Sequence, residues 1–510
     1  MDPLREAARR DPLGPAVMGA SASIGSGSGT DPTEWDWQTL DRHADAAAHR
    51  LAEAGVGPGE RVATLLPASP EMVVLLHALP RVGALLQPLN TAWTEEELVR
   101  ALGGPKTSGS GPAPSILGPS APSLLLVPGD RVGTFRGALP GMGTVAVEDV
   151  VELDGAPDPA GGLAHRPALP PSEDDTPLAI LLTSGSTGRP RPIPLTHGNL
   201  MASARGTAAR LRLDPADRWL ASLSPAHVGG LALLHRAAVV GSAVVTTPSF
   251  DPEVFLDLAD RGEVTHASLV PVMLRRLLEL RGDRPAPRGL RCVLLGGAAT
   301  PRPLLEEGLA KRWPVALTYG LTEATSQVAT APPDEVRRKA GTVGRPLPGV
   351  EVAIREADAE GVGEILVRGP TVALLPPAPP GEPGVRLAPS GWLHTGDLGR
   401  RDGDGDLWIT GRASDRIVSG GVTLEPGEVE AVLFRHPAVR DVAVVGAPDE
   451  TWGERVVAVV VPADPGAPPS LDEILEFARA KLSAAKRPRE LRIRSDLPRN
   501  ANGKVDRGRL

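Results

Sequence analysis

Four short stretches of this chain gather residue types that hold anions and hard cations. The longest is Leu182-Thr-Ser-Gly-Ser-Thr-Gly-Arg-Pro-Arg-Pro-Ile-Pro-Leu-Thr-His197. Thr183, Ser184, Ser186 and Thr187 alternate there with Gly185 and Gly188, directly after an apolar run that reads as a strand. Small residues let backbone amides close on an anion, and hydroxyls add donors, so the composition suits a loop that wraps phosphate oxygens. It is not a Walker loop, because no Gly-Lys-Ser/Thr follows at the required spacing. Ser23–Thr30 has the same composition but neither the preceding strand nor the Arg-Pro and Thr-His tail, and reads as linker. The other stretches are Thr318-Tyr-Gly-Leu-Thr-Glu323, Gly391-Trp-Leu-His-Thr-Gly-Asp397 and Leu497-Pro-Arg-Asn-Ala-Asn-Gly-Lys504.

The elements that must position these residues follow from apolar periodicity. Leu178–Leu182 runs into the glycine-rich loop, and Val293–Leu295 runs into Gly296-Gly297, after which Pro303–Trp313 has helical spacing. Val73–Leu89 and Leu231–Val245 are apolar but broken by His, Pro or Arg, and read as buried helices and strands. Such alternation predicts an α/β fold with mainly parallel sheets. Pro/Gly/Ser-rich stretches punctuate it at Gly103–Ser123, Asp154–Pro177, Pro376–Ser390 and Pro462–Ser470. After Arg412 the texture becomes a compact strand–helix mixture. Glu428–Phe434 reads as helix, Val442–Val445 and Val456–Val461 as strands, and Leu471–Leu482 is amphipathic. The expected organisation is a large N-terminal domain, 1–412, of mainly parallel sheets flanked by helices. A small α+β C-terminal domain, 413–510, follows it.

Composition narrows the class. The chain has 510 residues, 41% hydrophobic and 23% charged, with a formal net charge of −8. An acidic balance argues against nucleic acid as the main partner. One cysteine, Cys292, excludes an internal disulfide framework and a cysteine-built zinc site. The N-terminus mixes acids and bases, so no signal peptide is expected, and no stretch approaches about 18 uninterrupted apolar residues. The expected location is the cytoplasm. Only Lys106, Lys311, Lys339, Lys481, Lys486 and Lys504 among the 54 basic residues are lysines, and Tyr319 is the single tyrosine. A lysine or tyrosine kept against that bias is a candidate for a specific role.

With Gly411-Arg-Ala-Ser-Asp-Arg-Ile-Val-Ser-Gly-Gly421 added, five motifs in order from Leu182 to Lys504 resemble the adenylate-forming superfamily: acyl-CoA synthetases, luciferases and peptide-synthetase adenylation domains. The resemblance implies an enzyme using ATP, Mg²⁺ and coenzyme A. Activating a carboxylate with ATP brings two anions together, so cations must neutralise the approach. By resemblance Lys504 does so during adenylation, and Glu323 with Thr187 holds the metal. Thr183, Ser184, Gly185, Ser186, Thr187, Gly188, Arg191 and Thr322 meet the phosphates. Gly296, Gly297, Ala298, Tyr319 and Gly320 line the adenine slot, Asp397 accepts from the ribose hydroxyls, and Arg412 completes the ATP set. The small domain is implied to be mobile about Ser414-Asp415, with Gly420-Gly421 entering for the second step. Two departures stand out. Arg191-Pro192 replaces the family's Lys-Gly, and a proline-rich segment replaces its glycine-tyrosine after Gly369-Pro370.

The acid is narrowed by Ser224–Arg236. No acidic residue lies between Asp217 and Asp251 to meet an α-ammonium, so an amino-acid substrate is disfavoured. With no carrier domain expected after Leu510, free coenzyme A is the expected acceptor, and the resemblance implies His227 near the arriving thiol and the substrate. His227–Leu231, Arg291–Glu306, Tyr319–Gln327, Thr451–Glu454 and Pro498–Ala501 resemble the 2-succinylbenzoate–CoA ligases of menaquinone biosynthesis. That resemblance implies a dicarboxylate, with Arg236, Thr325 and Ser326 as candidates for the second carboxylate. For Arg236 the competing expectation is a surface salt bridge. The alternatives are a ligase for another aromatic or fatty acid, and a catalytically silent nucleotide-binding scaffold. A homodimer is a candidate assembly. Asp402-Gly-Asp-Gly-Asp406 suggests calcium, but Leu407 and Ala413 stand where an EF-hand loop needs glycine and glutamate, so a tight acidic hairpin turn is expected.

Overall fold

The computed structural model describes residues 2–19, 34–102, 121–139, 142–153, 174–184, 190–375, 385–419, 422–479, 481–499 and 505–510. Short apolar runs such as Cys292–Leu295, Ala243–Thr246 and Leu124–Val127 are buried along their length, as strands covered on both faces must be. A nine-stranded sheet runs through Arg345–Pro346, Ser326–Ala331, Val315–Leu321, Cys292–Leu295, His266–Leu269, Arg218–Ala221, Ala243–Thr246, Pro15–Gly19 and Glu34–Asp36. It is parallel from Val315–Leu321 to Pro15–Gly19, with antiparallel strands at both edges. A six-stranded sheet, Gly143–Ala146, Leu124–Val127, Arg61–Thr64, Leu85–Pro88, Pro177–Ser184 and Pro190–Thr196, is parallel except for its last pair. One apolar cluster spans both sheets and the helices on them, as expected for the large α/β unit.

Pro190, Pro192 and Pro194 explain why Pro190–Thr196 lies at an edge. Spaced by two, they turn the same side of the backbone, which lacks donors, away from the neighbouring strand. Arg191, Ile193 and Leu195 are left to carry the ladder opposite Thr183, Leu181 and Ala179.

A third sheet, wholly antiparallel, contains Glu351–Arg355, Gly363–Arg368, Leu393–Arg401, Arg386–Leu387 and Leu407–Arg412. Beyond Arg412 the next strand, Ile417–Ser419, joins a fourth sheet with Val422–Leu424, Gly453–Pro462, Val439–Asp449 and Glu490–Ile493. Strand alternation gives this sheet two buried faces. Val456, Ala458 and Val460 pack with Val429, Leu433, Ile474 and Ala478, whereas Val457, Val459 and Val461 pack with Leu497. No helix among the described residues is long and apolar enough to cross a membrane.

The first core also encloses charge. The wholly buried Arg81 guanidinium meets Asp2, Asp41 and Asp45 at 3.0, 2.5 and 2.6 Å, tying helix Pro3–Arg10 to helix Trp37–Glu53. His77 and His235 are buried on helices Pro70–Ala78 and Val228–Val240. Burial holds them down to about 4 and about 3, against an opposing pull from Asp2. Their folded values lie below the unfolded one of about 6.5, so their contribution is whole above pH 6.5 and is lost as the pH falls towards 4 and 3. Each should steepen the loss of stability by about 1.4 kcal/mol per pH unit. Denaturant unfolding of His235→Gln between about pH 4.5 and 6 should therefore take up about one proton fewer than wild type. An unchanged slope would mean that His235 is charged in the folded state.

Candidate active site

Strand Val315–Leu321 ends in a hairpin with no room for a side chain at Gly320. A Cβ there would lie 1.7 Å from the Ser326 carbonyl oxygen, and the ladder shifts by a residue between Tyr319 and Gly320. The chain returns through Thr325 and Ser326 with φ of 49° and 85°. Left-handed backbone costs such residues about 1–3 kcal/mol each. The Ser203 hydroxyl helps hold it, donating to the Thr325 carbonyl at 2.7 Å. The turn buries Glu323 and Thr325 next to Tyr319.

The third sheet delivers Asp397. Thr395 accepts from the Asp397 N–H at 3.0 Å and donates to the Ile365 carbonyl at 2.7 Å. Gly396 takes φ 69°, and a bulge between Leu398 and Gly399 re-aims the strand. The Tyr319 hydroxyl donates to Asp397 Oδ2 at 2.8 Å, and Arg412 Nε donates to Oδ1 at 2.6 Å. Burial, reinforced by the Asp397 charge, pushes the Tyr319 hydroxyl well above its usual range, so it remains a donor. A carboxylate has about four lone-pair positions, so Asp397 can still accept from a ligand. Burial raises the Glu323 carboxyl, opposed by its own backbone N–H and by the Arg191 and Arg412 guanidiniums. Arg191 is anchored by donating to the Val385 carbonyl at 3.0 Å, and the Thr183 hydroxyl donates to the Arg191 carbonyl at 3.3 Å.

Gly296, Gly297 and Ala298 follow strand Cys292–Leu295. A Cβ on Gly296 would lie 2.8 Å from Thr318 Cγ2, so only glycine lets this turn press against the strand carrying Tyr319. His227 precedes helix Val228–Val240 on the loop leaving Arg218–Ala221. These residues, with Gly320 and Thr322, cluster at the carboxyl ends of the parallel strands, where open α/β sheets bind ligands.

Arg236 is not among them. It lies nine residues along its helix from His227, about 13 Å at 1.5 Å per residue. There it sits over the Trp219 ring, 4.3 Å from its centroid, at the opposite end of the strands. Burial holds its guanidinium down to about 10. It is therefore neither placed to meet the second carboxylate nor part of a surface salt bridge.

Ser414 and Asp415 lie in the turn Ala413–Asp415 between the third and fourth sheets, with Asp415 paired to Arg507 at 3.4 Å. Ser184 ends strand Pro177–Ser184. Gly185, Ser186, Thr187, Gly188, Gly420, Gly421 and Lys504 lie outside the described residues, as does the linker reading at Ser23–Thr30. The acidic hairpin turn forms as expected, and Lys339 Nζ donates to Asp402, Asp404 and Asp406 at 3.0, 2.6 and 2.6 Å. An ammonium thus takes the place a divalent cation would occupy. Ser203 and the Val385 carbonyl are supports that the motifs do not contain; each acts across a long sequence separation with no local signature, whereas Thr395 stands within the motif that carries Asp397.

The family model described as AMP-binding enzyme matches residues 4–111 and 112–374, and that of the AMP-binding enzyme C-terminal domain matches 428–504. A 2-succinylbenzoate–CoA ligase from Bacillus cytotoxicus is 35% identical over 474 residues, 91% of either chain. o-Succinylbenzoate CoA synthetase from Bacillus subtilis, with ATP and magnesium ion, gives a TM-score of 0.82 at 30% identity over 100% of this chain and 99% of that one. In complex with the acyl-adenylate intermediate OSB-AMP it also gives 0.82, at 30% identity over 99% and 97%. A double mutant of it bound with the product analogue OSB-NCoA gives 0.68, at 30% identity over 100% and 97%.

Asp397→Asn keeps the shape of the side chain and removes the charge. A hydrogen bond to a charged group is worth about 1.5–3 kcal/mol, so calorimetric ATP affinity should fall about 10- to 100-fold. Unchanged affinity would mean that the nucleotide does not meet Asp397.

Proposed function

The chain belongs to the AMP-binding enzyme family, and on that premise we propose that it is an ATP-dependent acid–CoA ligase for 2-succinylbenzoate, acting in menaquinone biosynthesis. In the first half-reaction a substrate carboxylate oxygen attacks the ATP α-phosphorus, forming the acyl-adenylate and releasing pyrophosphate. In the second the coenzyme A sulfur attacks the acyl carbon, its proton is lost, and AMP departs.

The residues divide this work by their chemistry. Asp397 accepts from the ribose hydroxyls while Tyr319 and Arg412 fix its direction. Gly296, Gly297, Ala298 and Gly320 leave a flat slot for adenine. Thr183, Ser184, Thr322 and the loop from Gly185 to Gly188 surround the phosphates, with Arg191 as their cation; an arginine suits phosphate as the family's lysine does. Glu323 fits a magnesium ion, being a buried oxygen ligand that gains by meeting a hard cation. Bound there with Thr187, the ion would draw charge from the phosphates. Lys504 neutralises the approach of the two anions, and His227 stands where the thiol arrives. The division into residues 1–412 and 413–510, with Ser414-Asp415 as hinge and Gly420-Gly421 entering for thioester formation, belongs to the same reading. So do a cytoplasmic location and a homodimer as the candidate assembly.

One observation carries the choice of acid. The Thr325 hydroxyl is wholly buried beside Glu323 and has no hydrogen-bond partner among the described residues. An unsatisfied buried hydroxyl costs about 1–3 kcal/mol, which a second substrate carboxylate would relieve once the turn opened to admit it. Thr325, with Ser326, therefore replaces Arg236 as the group that distinguishes a dicarboxylate. The named function of the relatives points to the same acid.

The test is ATP-dependent pyrophosphate release with 2-succinylbenzoate, benzoate, a hydroxycinnamate and fatty acids, each with and without coenzyme A. We expect 2-succinylbenzoate to exceed the others at least tenfold in kcat/KM with its thioester formed, and Thr325→Val to lose most of that margin. Preference for a monocarboxylate would overturn the substrate, and silence on every acid would overturn the enzyme.

A further inference from the structure

The two apolar cores meet at a contact outside the catalytic cluster. Strand Val439–Asp449 is an edge of the fourth sheet, and its ladder shifts between Val439 and Asp441. The shift leaves the Arg440 carbonyl out of register with the neighbouring strand, a position that needs an acceptor's partner from elsewhere. Arg275, on helix Pro271–Arg281 of the first core, supplies it, donating Nη1 to the Arg440 carbonyl at 2.6 Å. The same guanidinium lies over the Phe434 ring, 4.8 Å from its centroid. Phe434 ends helix Pro426–Leu433 and packs on the second core. One side chain thus grips two independent features of the second core, far along the chain from the single crossing at Ala413–Asp415.

We propose that Arg275 is a positioning residue that holds the second core in the arrangement seen here. Over the whole chain the structure superposes better on the Bacillus subtilis relative with ATP or acyl-adenylate than on its double mutant with the product analogue. Losing one hydrogen bond and one cation–π contact should lower the share of this arrangement about tenfold. The link to the half-reactions rests on the function proposed above. If the arrangement seen here serves adenylation, Arg275 favours that half over thioester formation.

Spin labels on Leu280→Cys and Arg435→Cys, both exposed positions on the two cores, read the arrangement without reference to activity. The native Cys292 is buried, and burial pushes its thiol up to about 12, so it escapes labelling. Arg275→Met, which keeps the aliphatic stem, should transfer most of the distance distribution to a second population, and Arg275→Lys should restore part of the first. Distributions identical with and without Arg275 would overturn the inference. In half-reactions, Arg275→Met should slow pyrophosphate formation about tenfold while sparing thioester formation from supplied adenylate, as Lys504→Ala should. A shifted distribution with both half-reactions lost equally would leave the latch standing and count against its tie to adenylation. If Lys504→Ala spares adenylation, the proposed division of catalytic roles fails instead.

Discussion

The site depends on one buried negative charge. Asp397 sits almost out of water, and such a charge is tolerable only when hydrogen-bonded and paired. Its two partners come from different sheets. Tyr319 reaches it from the nine-stranded sheet, and Arg412 from the last strand of the third sheet, directly before the chain passes to the second core. The interaction that readies Asp397 for a ribose therefore also fixes the two sheets against each other and sets the direction of the crossing.

Around that charge the backbone is bent at cost. The bulges at Tyr319–Gly320 and Leu398–Gly399 and the left-handed pair Thr325–Ser326 would not persist in isolated strands. They are held by the rigid parallel strands behind them and by Ser203 and Thr395. The result is a cluster in which Glu323, Thr325 and Asp397 are all buried. Electrostatic contacts there are stronger than at a surface.

The fold class was legible, and the proposed site could be read as a set of motifs, because parallel strands and phosphate-handling turns are written in consecutive residues. Val293–Leu295 leads into Gly296-Gly297 as the periodicity requires, and Leu178–Leu182 lies within strand Pro177–Ser184. The third sheet was not legible, since its strands mix Gly, Arg and Glu and only Gly363–Arg368 among them buries every second residue, so no common period marks them. Arg236 misled because a neighbour in sequence to His227 is not a neighbour in space: a helix carries it away from the loop. The compositional exceptions proved informative in an unforeseen way. Tyr319 bonds Asp397, and Lys339 closes the acidic turn. Thr325 carries a strain that no residue type announces, because left-handed backbone at a β-branched residue is imposed by its surroundings.

The most direct test of the account is a crystal structure of this chain with ATP bound. It should place a ribose hydroxyl about 3 Å from Asp397, with Tyr319 and Arg412 still bonded to the same carboxylate. A nucleotide seated elsewhere, or a ribose held without Asp397, would contradict the central role given to that charge.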